Sequence, residues 1–391
     1  MAAADWQKIR DDFPCTRGRA FLNTGTLGPV PGPVMERYLG YQREWNDIGP
    51  GDPEIYGGWR DRTETTREHL ARWLGVAPET LSFAGNVTDA INIGLFGLRL
   101  PAGSRIVTTD EEHGALVAPL SLLAEGGVSV DLVAFGQGGD GLLERLEEAL
   151  RRPCQLVVLS HVSCETGATV DARRLADLAH SRGALVMLDG AQAGGQIALD
   201  LDALDVDLYA LNGHKWMLGP VGTGALYVAP RMADRVQLTF TGDGSGWSSS
   251  YPAAFAATWA RDGRRFEFAT RPWTAWVAWH DVMEYWESLP VEAAMARQRT
   301  LARQLGQGLE AMDGVTLRSP REPVTGITAF ELQGWNGREL SRVLREAGVV
   351  GRPISRHGMS GVRLSTAFFN DETDVARALT VVDRIRSGKI S

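Results

Sequence analysis

The chain has 391 residues, of which 44% are hydrophobic and 23% are charged. This balance is typical of a folded globular enzyme and excludes a disordered or fibrous chain. The formal charge of −8 argues against a nucleic-acid-binding protein, because phosphate backbones require a basic surface. The length exceeds that of one ordinary hydrophobic core and predicts a large domain with a smaller one.

The cysteines and the N-terminal segment bear on the compartment. Cys15, Cys154 and Cys164 form neither a disulfide framework nor a CxxC pair, which favours a reducing compartment over secretion. The first residues, MAAADWQKIRDDF, are broken by charges and do not resemble a signal peptide. No apolar run reaches the 18 residues that a membrane span needs. We therefore expect a cytoplasmic protein with neither a membrane nor a nucleic acid as a partner.

Helices and strands alternate in the first part of the chain, from about residue 60 to residue 228. The apolar periodicity predicts helices at 61–74, 90–98, 114–125, 142–151 and 171–182. Continuously apolar runs predict strands at 105–109, 128–135, 156–160, 184–188, 207–211 and 224–228. Such strands, alternating with helices, are typical of an α/β fold with a mostly parallel sheet covered on both faces.

The pattern changes after residue 231. Residues 240–271 are rich in Gly, Ser and aromatic residues and have no clear period, which predicts a long functional loop. A helical region at 272–312 carries four tryptophans spaced at three and seven, which indicates core or dimer packing. The remaining elements indicate a smaller α/β domain. We expect a large domain at 21–287 and a small domain formed by 1–20 and 288–391.

The residues that directly follow the predicted strands are the first candidates for a site. Ligands of open parallel sheets bind beyond the carboxyl ends of the strands. Asp189 follows one apolar strand, and Lys215 follows another and is the only lysine between Lys8 and Lys389. The turn before the helix at 90–98 can present backbone amides to a phosphate. A lysine, an acid and a phosphate site are what pyridoxal 5'-phosphate requires, since lysine binds its aldehyde and the carboxylate keeps its ring nitrogen protonated.

Eight motifs spread along the chain resemble those of one family. LDGAQ at 188–192, NGHKW at 212–216 and the following GPVGTGALYV resemble the class V aminotransferase family of fold-type I pyridoxal-phosphate enzymes. FLNTGTLGPVP, GNVTDA, EEH, FEFATRP and GVRLST match the family in the same order. The resemblance covers nearly the whole chain. It implies a large domain with a mostly parallel seven-stranded sheet, a smaller α/β C-terminal domain and an amino-acid substrate.

The resemblance also implies roles for individual residues. It makes Lys215 the Schiff-base lysine, Asp189 the partner of the ring nitrogen, and His113 the side chain stacked on the ring. Arg363 resembles the arginine that binds the substrate α-carboxylate, with Asn23 close to the same group. The other expected cofactor contacts are Gln192 at the ring hydroxyl, a phosphate cup of Val87, Thr88, Asn212 and His214, and Thr270, which would reach the phosphate of a neighbouring subunit and implies a homodimer.

The chain departs from the family pattern at two places. Simpler interpretations of Asp189 and of the acidic turn also remain open. Residues 163–167 read SCETG where many relatives have Asn-Asn-Glu, and Asn212 stands where a small hydroxyl residue is common. Asp189 could instead cap a helix. The acidic turn that ends at His113 could be solvated or could imitate a metal cluster, but no second histidine follows at a ligand spacing. We expect no metal site.

The reaction is the last open question from the sequence. Cysteine desulfuration by a persulfide route needs a cysteine thiolate, which in the family that the chain resembles lies on the loop before the Arg363 motif, and residues 351–360 contain no cysteine. The simplest chemistry is therefore C–S β-elimination, in which Lys215 removes the Cα proton of a cysteine S-conjugate and pyruvate, ammonia and a thiol or sulfenate are released. Epimerisation of the isopenicillin N epimerase kind, transamination and decarboxylation remain alternatives. A cofactor-free binding protein on the same fold is the alternative that is not an enzyme.

Overall fold

A computed structural model describes residues 4–245, 259–356 and 358–390. The helices of this part of the chain are α1 Trp6–Asp11, α2 Gly32–Ile48, α3 Pro53–Leu74, α4 Val87–Gly97, α5 Gly114–Glu125, α6 Gly139–Ala149, α7 Ala172–Ser181, α8 Leu201–Leu204, α9 Trp273–Glu287, α10 Val291–Glu310, α11 Gly337–Glu346 and α12 Glu372–Arg386. The strands are β1 Ala20–Phe21, β2 Leu81–Ala84, β3 Arg105–Thr109, β4 Ser129–Val133, β5 Leu156–Ser160, β6 Leu185–Asp189, β7 Leu208–Asn212, β8 Gly224–Val228, β9 Val315–Leu317, β10 Ile327–Leu332, β11 Val349–Val350, β12 Arg352–Ile354 and β13 Gly361–Ser365.

The large sheet has seven strands in the order β2-β8-β7-β6-β5-β3-β4. Strand β8 runs antiparallel to both of its neighbours, and the other adjacent pairs are parallel. Every residue of the central strands β5 and β7 is buried, as expected for strands covered on both faces. The predicted α/β class and the mostly parallel seven-stranded sheet are confirmed. This sheet places the ends of β5, β6 and β7 side by side.

A second sheet forms in the C-terminal part of the chain. Its four strands have the order β12-β13-β10-β9 and are antiparallel, and β1 pairs with β11 in a separate two-stranded sheet. A distinct hydrophobic cluster lies between these strands and helices α10, α11 and α12. Near the N-terminus, Arg10 binds Asp374 of α12 through Nη1 at 2.6 Å. These contacts agree with a small domain, and the proposed boundaries at 20 and 288 stay a prediction.

Three parts of the chain differ from the sequence-based expectation. Helix α2 was not expected, and α3 begins at Pro53 rather than at Asp61. The helical region 272–312 is two helices, because the chain turns at Ser288–Pro290 between α9 and α10. The strand expected at 128–135 is shorter, as β4, because a turn follows Val133.

The tryptophans of α9 belong to the core of the chain itself. Trp276, Trp279 and Trp286 are at most 1% exposed, and Trp276 stacks on Phe83 of β2 with ring centroids 4.8 Å apart. Of the two expectations for these residues, core packing is therefore correct. A tryptophan-rich α9 is no argument for a subunit interface, because these rings are already covered within one chain.

The glycine-rich region 240–271 is only partly described, because residues 246–258 lie outside the described part. Its described part contains short 3₁₀ turns and neither an α-helix nor a β-strand. Glu267 anchors the C-terminal end of this region. The carboxylate of Glu267 accepts hydrogen bonds from Arg67 Nη1 at 2.6 Å and from the backbone amide of Phe83 at 2.6 Å.

Candidate active site

A cavity of about 610 Å³ opens at the carboxyl ends of β5, β6 and β7. This is the edge of the sheet where the sequence placed the site. Eight of the eleven predicted site residues line the cavity: Val87, Thr88, His113, Asp189, Gln192, Asn212, His214 and Lys215. Side chains that are separated by as many as 128 positions in sequence, from Val87 to Lys215, thus meet at one sheet edge.

Lys215 lies in the turn that follows β7, and its side chain is half-buried in the cavity wall. Burial lowers the pKa of Lys215, and the nearby carboxylate of Asp189 partly offsets this effect. Gly28 allows the N-terminal segment to approach the backbone here, because a Cβ on Gly28 would lie 1.9 Å from the Lys215 carbonyl oxygen. A neutral amine is a nucleophile and a base, so the lowered pKa favours both uses.

Asp189 is the last residue of β6 and is 3% exposed. Its Oδ1 accepts a hydrogen bond from the backbone amide of Ala191 at 2.8 Å, and its Oδ2 has no hydrogen bond within the described residues. Burial raises the pKa of Asp189, whereas the Ala191 amide and Lys215 lower it. The carboxylate does not cap an α-helix, because turns follow β6. A buried carboxylate with one uncommitted oxygen is suited to a cationic ring nitrogen.

His113 is the N-cap of α5, and its Nδ1 accepts a hydrogen bond from the backbone amide of Ala115 at 3.1 Å. Burial, followed by the nearby charge of Lys215, lowers the pKa of His113 to about 4. The imidazole is therefore neutral at physiological pH and presents its ring to the cavity. Next to it, Glu112 is 2% exposed and accepts hydrogen bonds from Ser160 of β5, so this glutamate of the acidic turn is not solvated, whereas Asp110 is exposed.

Gln192 connects the cavity to the N-terminal segment. Its Nε2 donates to the carbonyl of Gly25 at 2.9 Å, and its Oε1 accepts from Trp216 Nε1 at 2.6 Å. The second hydrogen on Nε2 is uncommitted within the described residues and is the group that could reach a ring hydroxyl.

The N-terminus of α4 forms one end of the cavity. Asn86 is its N-cap and accepts from the Asp89 amide, while the Val87 amide donates to Asn212 Oδ1 at 2.7 Å. The Val87 amide is therefore already used. The amide and hydroxyl of Thr88 remain for an anion at this positive helix end, together with His214.

Three predicted site residues do not line the cavity. Thr270 is exposed and lies outside the cavity. Arg363 is fully buried, with Nη1 donating to the Cys164 carbonyl at 2.6 Å and Nη2 to Thr26 Oγ1 at 2.8 Å. Asn23 Oδ1 in turn accepts from Thr26 Oγ1 at 2.7 Å. The 23–26 turn thus lies between Arg363 and the cavity.

Arg352 and Cys164 are among the cavity residues that lie outside the predicted site. Arg352 lines the cavity and binds Glu165 Oε1 at 3.3 Å. Cys164 also lines the cavity and is 4% exposed. Burial, followed by Glu165, raises the pKa of the Cys164 thiol to about 12, so the thiol stays protonated. The sequence signal for Cys164 was its place directly after β5, at the same sheet edge as Asp189.

These residues fit pyridoxal 5'-phosphate. The cavity combines an amine with a lowered pKa, a buried carboxylate with a free oxygen, a neutral imidazole and the N-terminus of α4. They correspond to the aldehyde, the ring nitrogen, the ring face and the phosphate of the cofactor. Among the described residues, no cluster of three or more histidine, cysteine or acidic side chains could hold a metal ion. No helix there is long and apolar enough to cross a membrane.

The fold and this set of side chains define a pyridoxal-phosphate enzyme of fold type I. Residues 22–378 match the family model of class V aminotransferases. The chain belongs to the class V aminotransferase family, as its motifs implied.

Relatives in this family differ in their reactions. The chain is 30% identical over 417 residues to isopenicillin N epimerase of Streptomyces clavuligerus, covering 98% of this chain and 99% of the relative. It is 25% identical over 383 residues to a probable cysteine desulfurase of Methanothermobacter thermautotrophicus, covering 94% and 95%.

The solved structures add the cofactor. The cystine C–S lyase C-DES, in complex with its product cysteine persulfide, superposes with a TM-score of 0.87 at 26% identity over 95% of this chain and 99% of its own. In a lysine-to-alanine mutant of C-DES, glycine is covalently linked to pyridoxal phosphate. The chain is a pyridoxal-phosphate enzyme of the cysteine desulfurase and C–S lyase type.

Proposed function

We propose that the protein is a C–S lyase that cleaves a cysteine S-conjugate by β-elimination. The observation that carries the proposal is a lysine of lowered pKa in a cavity that offers no thiolate. Bound pyridoxal phosphate supplies an electron sink for the pair of electrons left at Cα when its proton is removed. The chain's own residues hold the cofactor, move that proton and position the substrate.

Lys215 is the base of this reaction. Its Nζ takes the proton from Cα, and the electrons of the broken Cα–H bond then form the Cα–Cβ double bond. The Cβ–S bond breaks with its electron pair on sulfur, which leaves as a thiol or sulfenate. Hydrolysis of the remaining three-carbon fragment gives pyruvate and ammonia. The lowered pKa of Lys215 favours the neutral amine, which is the form that acts as a base.

The other cavity residues hold the cofactor. The free oxygen of Asp189 would accept a hydrogen bond from the protonated ring nitrogen, and His113 would stack on the ring. Thr88, at the N-terminus of α4, and His214, in the turn after β7, would bind the phosphate. Arg363 binds the α-carboxylate once Thr26 releases its Nη2, so the 23–26 turn must move when substrate arrives.

Desulfuration through a persulfide is disfavoured for two reasons. Residues 351–360, before the Arg363 motif, contain no cysteine. Cys164 does reach the cavity, but with a pKa of about 12 its thiol is not a thiolate that could attack sulfur at neutral pH. Elimination needs no thiolate.

The proposal is tested with a panel of cysteine S-conjugates and ordinary amino acids. We expect pyruvate and ammonia in equal amounts from at least one S-conjugate, and loss of turnover by several orders of magnitude in Lys215→Ala. Lys8→Ala, which removes an exposed lysine, is the matched control and should keep full activity. Near-normal activity of Lys215→Ala, or no pyruvate from any conjugate, would contradict the proposal.

Amino-acid epimerisation is the second candidate, favoured by the 30% identity to isopenicillin N epimerase and by Cys164. A two-base epimerase needs a second group that can give or take the Cα proton, and Cys164 is a protonated acid in the same cavity as Lys215. Cys164→Ser separates the candidates. An epimerase that uses this thiol would lose racemisation, whereas a lyase would keep pyruvate formation.

We also propose that two copies share their sites in a homodimer. Thr270 is exposed, and so is Val221, which is 71% exposed although it lines the cavity mouth. A second copy would cover this mouth and bring its Thr270 to the phosphate. Sedimentation should give a dimer, and Thr270→Ala should weaken cofactor binding. A fully active monomer would contradict the proposal.

A further inference from the structure

We propose that His161 and Tyr209 form a strut under the cofactor site that positions the Asp189 carboxylate. The phenol of Tyr209 and Nδ1 of His161 are 2.9 Å apart, and both side chains are buried. Neither residue lines the cavity or takes part in the proposed reaction. The inference depends on the cofactor and not on which reaction follows.

The strut passes beneath the strand that carries Asp189. Ser160, Asp189 and Ala210 pair in register on β5, β6 and β7, so their side chains share one face of the sheet. His161 and Tyr209 are their immediate neighbours and lie on the opposite face. The hydrogen bond between them therefore joins β5 to β7 across β6.

Gly190 makes the space for this strut. A Cβ at position 190 would lie 2.1 Å from Tyr209 Cε1 and 2.7 Å from its hydroxyl oxygen. The tyrosine ring thus rests directly against the backbone of the residue that follows Asp189. A side chain at position 190 would displace the ring and separate its hydroxyl from His161.

Backbone hydrogen bonds connect the strut to Asp189. The His161 amide donates to the Asp189 carbonyl at 2.9 Å, and the Gly190 amide donates to the Ala210 carbonyl at 2.8 Å. The Ala191 amide then holds Asp189 Oδ1 at 2.8 Å. Each strand end next to Asp189 is thereby fixed, and so is the direction of its free oxygen.

The strut is also uncharged. Burial raises the pKa of the Tyr209 phenol well above its ordinary value and lowers the pKa of His161 to about 4. Both groups are therefore neutral, and in the histidine tautomer that is protonated on Nε2 the phenol donates and Nδ1 accepts. The strut itself therefore adds no charge next to the pairing of Asp189 and the ring nitrogen.

Tyr209→Phe removes the hydroxyl and keeps the ring under Gly190, so the variant should fold. We expect the cofactor dissociation constant of this variant to rise about fivefold or more, as the loss of one buried hydrogen bond would produce. The pH at which the absorption spectrum of the bound cofactor changes should shift by about half a unit, since the field of Asp189 acts on that titration. Tyr285→Phe, which removes a tyrosine hydroxyl bonded to Asp12 at 2.8 Å, is the matched control and should change neither quantity.

A second pair of variants tests the histidine. His161→Asn places an amide oxygen near the position of Nδ1 and should retain most of the wild-type affinity and spectrum, whereas His161→Leu should reproduce Tyr209→Phe. Wild-type affinity and spectral titration in both Tyr209→Phe and His161→Leu would overturn the proposal. Equal changes in Tyr285→Phe would also overturn it, because they would indicate general loosening of the fold.

Discussion

Arg352 and Arg363 lie directly opposite each other on the antiparallel strands β12 and β13. Their side chains therefore share one face of the small sheet, where two like charges repel. Glu165 is the buried counter-ion and binds Arg352 at 3.3 Å, while Arg363 is enclosed by Thr26 and Cys164. Burial, followed by the charge of Arg352, lowers the pKa of Arg363 to about 10. Arg352 is thus paired with a counter-ion, and we propose that Arg363 binds the carboxylate of an incoming substrate.

Arg363→Lys should raise KM for the amino-acid substrate by about 10- to 100-fold, because a charge-assisted pair of hydrogen bonds becomes a single one. The cofactor dissociation constant should stay unchanged, since Arg363 does not line the cofactor cavity. Steady-state kinetics measure KM, and cofactor titration measures the dissociation constant. Arg342→Lys, at an exposed ion pair with Glu346, is the control. An unchanged KM in Arg363→Lys would contradict its role at the carboxylate.

Asp189→Ala should bind the cofactor more weakly and lose nearly all turnover. The ring nitrogen would then lose its counter-ion, and the electron sink would become much less effective. Asp189→Asn keeps the shape and the hydrogen bond from Ala191, so it should bind cofactor better than Asp189→Ala but remain nearly inactive. Cofactor fluorescence and turnover distinguish the two effects. Wild-type rates in either variant would mean that this carboxylate serves only its local turn.

The stability of the protein should depend on pH through His161. Burial lowers the pKa of His161 from 6.5 to about 4, so between these values the unfolded chain binds the proton and the folded chain does not. This site therefore makes the free energy of unfolding fall as the pH falls. From pH 7 to pH 5 the loss from His161 is about 2 kcal/mol. In urea unfolding, the free energy of unfolding of His161→Asn should depend less on pH than that of the wild type. An equal pH dependence of the two proteins would contradict this prediction.

Arg67→Met should destabilise the fold by about 3–5 kcal/mol, because it leaves Glu267 buried without its counter-ion. Arg67 is 3% exposed and binds both carboxylate oxygens of Glu267, at 2.6 and 3.0 Å. Arg342→Met removes an exposed ion pair with Glu346 and should cost less than about 0.5 kcal/mol. Urea unfolding measures both. A similar small loss in the two variants would show that the buried pair contributes little.

The sequence predicted the sheet and its catalytic edge because both depend on local patterns. The apolar runs that form β5, β6 and β7 are continuous in sequence, and polar residues follow each of them directly. Asp189 and Lys215 could therefore be placed at one edge before any three-dimensional information. The combination of one lysine, one acid and one phosphate site then indicated pyridoxal 5'-phosphate as the cofactor.

Long-range packing could not be predicted in the same way. The register that pairs Arg352 with Arg363 has no strong signal in the sequence between the two strands. The 23–26 turn closes over Arg363 through Thr26, more than 300 residues away in sequence. Helix α2 has a mean composition too polar to stand out, and its position depends on contacts with α9, such as that of Tyr41 with Asp281 at 2.8 Å.

The carbon product of the reaction tests the central claim most directly. A cysteine S-conjugate labelled with ¹³C in its three-carbon chain is incubated with the holoenzyme, and the products are followed by NMR. The lyase account predicts labelled pyruvate, with one ammonia and one thiol or sulfenate per pyruvate, and none of these with Lys215→Ala. Labelled alanine would indicate desulfuration, and recovery of the opposite enantiomer without pyruvate would indicate epimerisation. Either result would contradict the account.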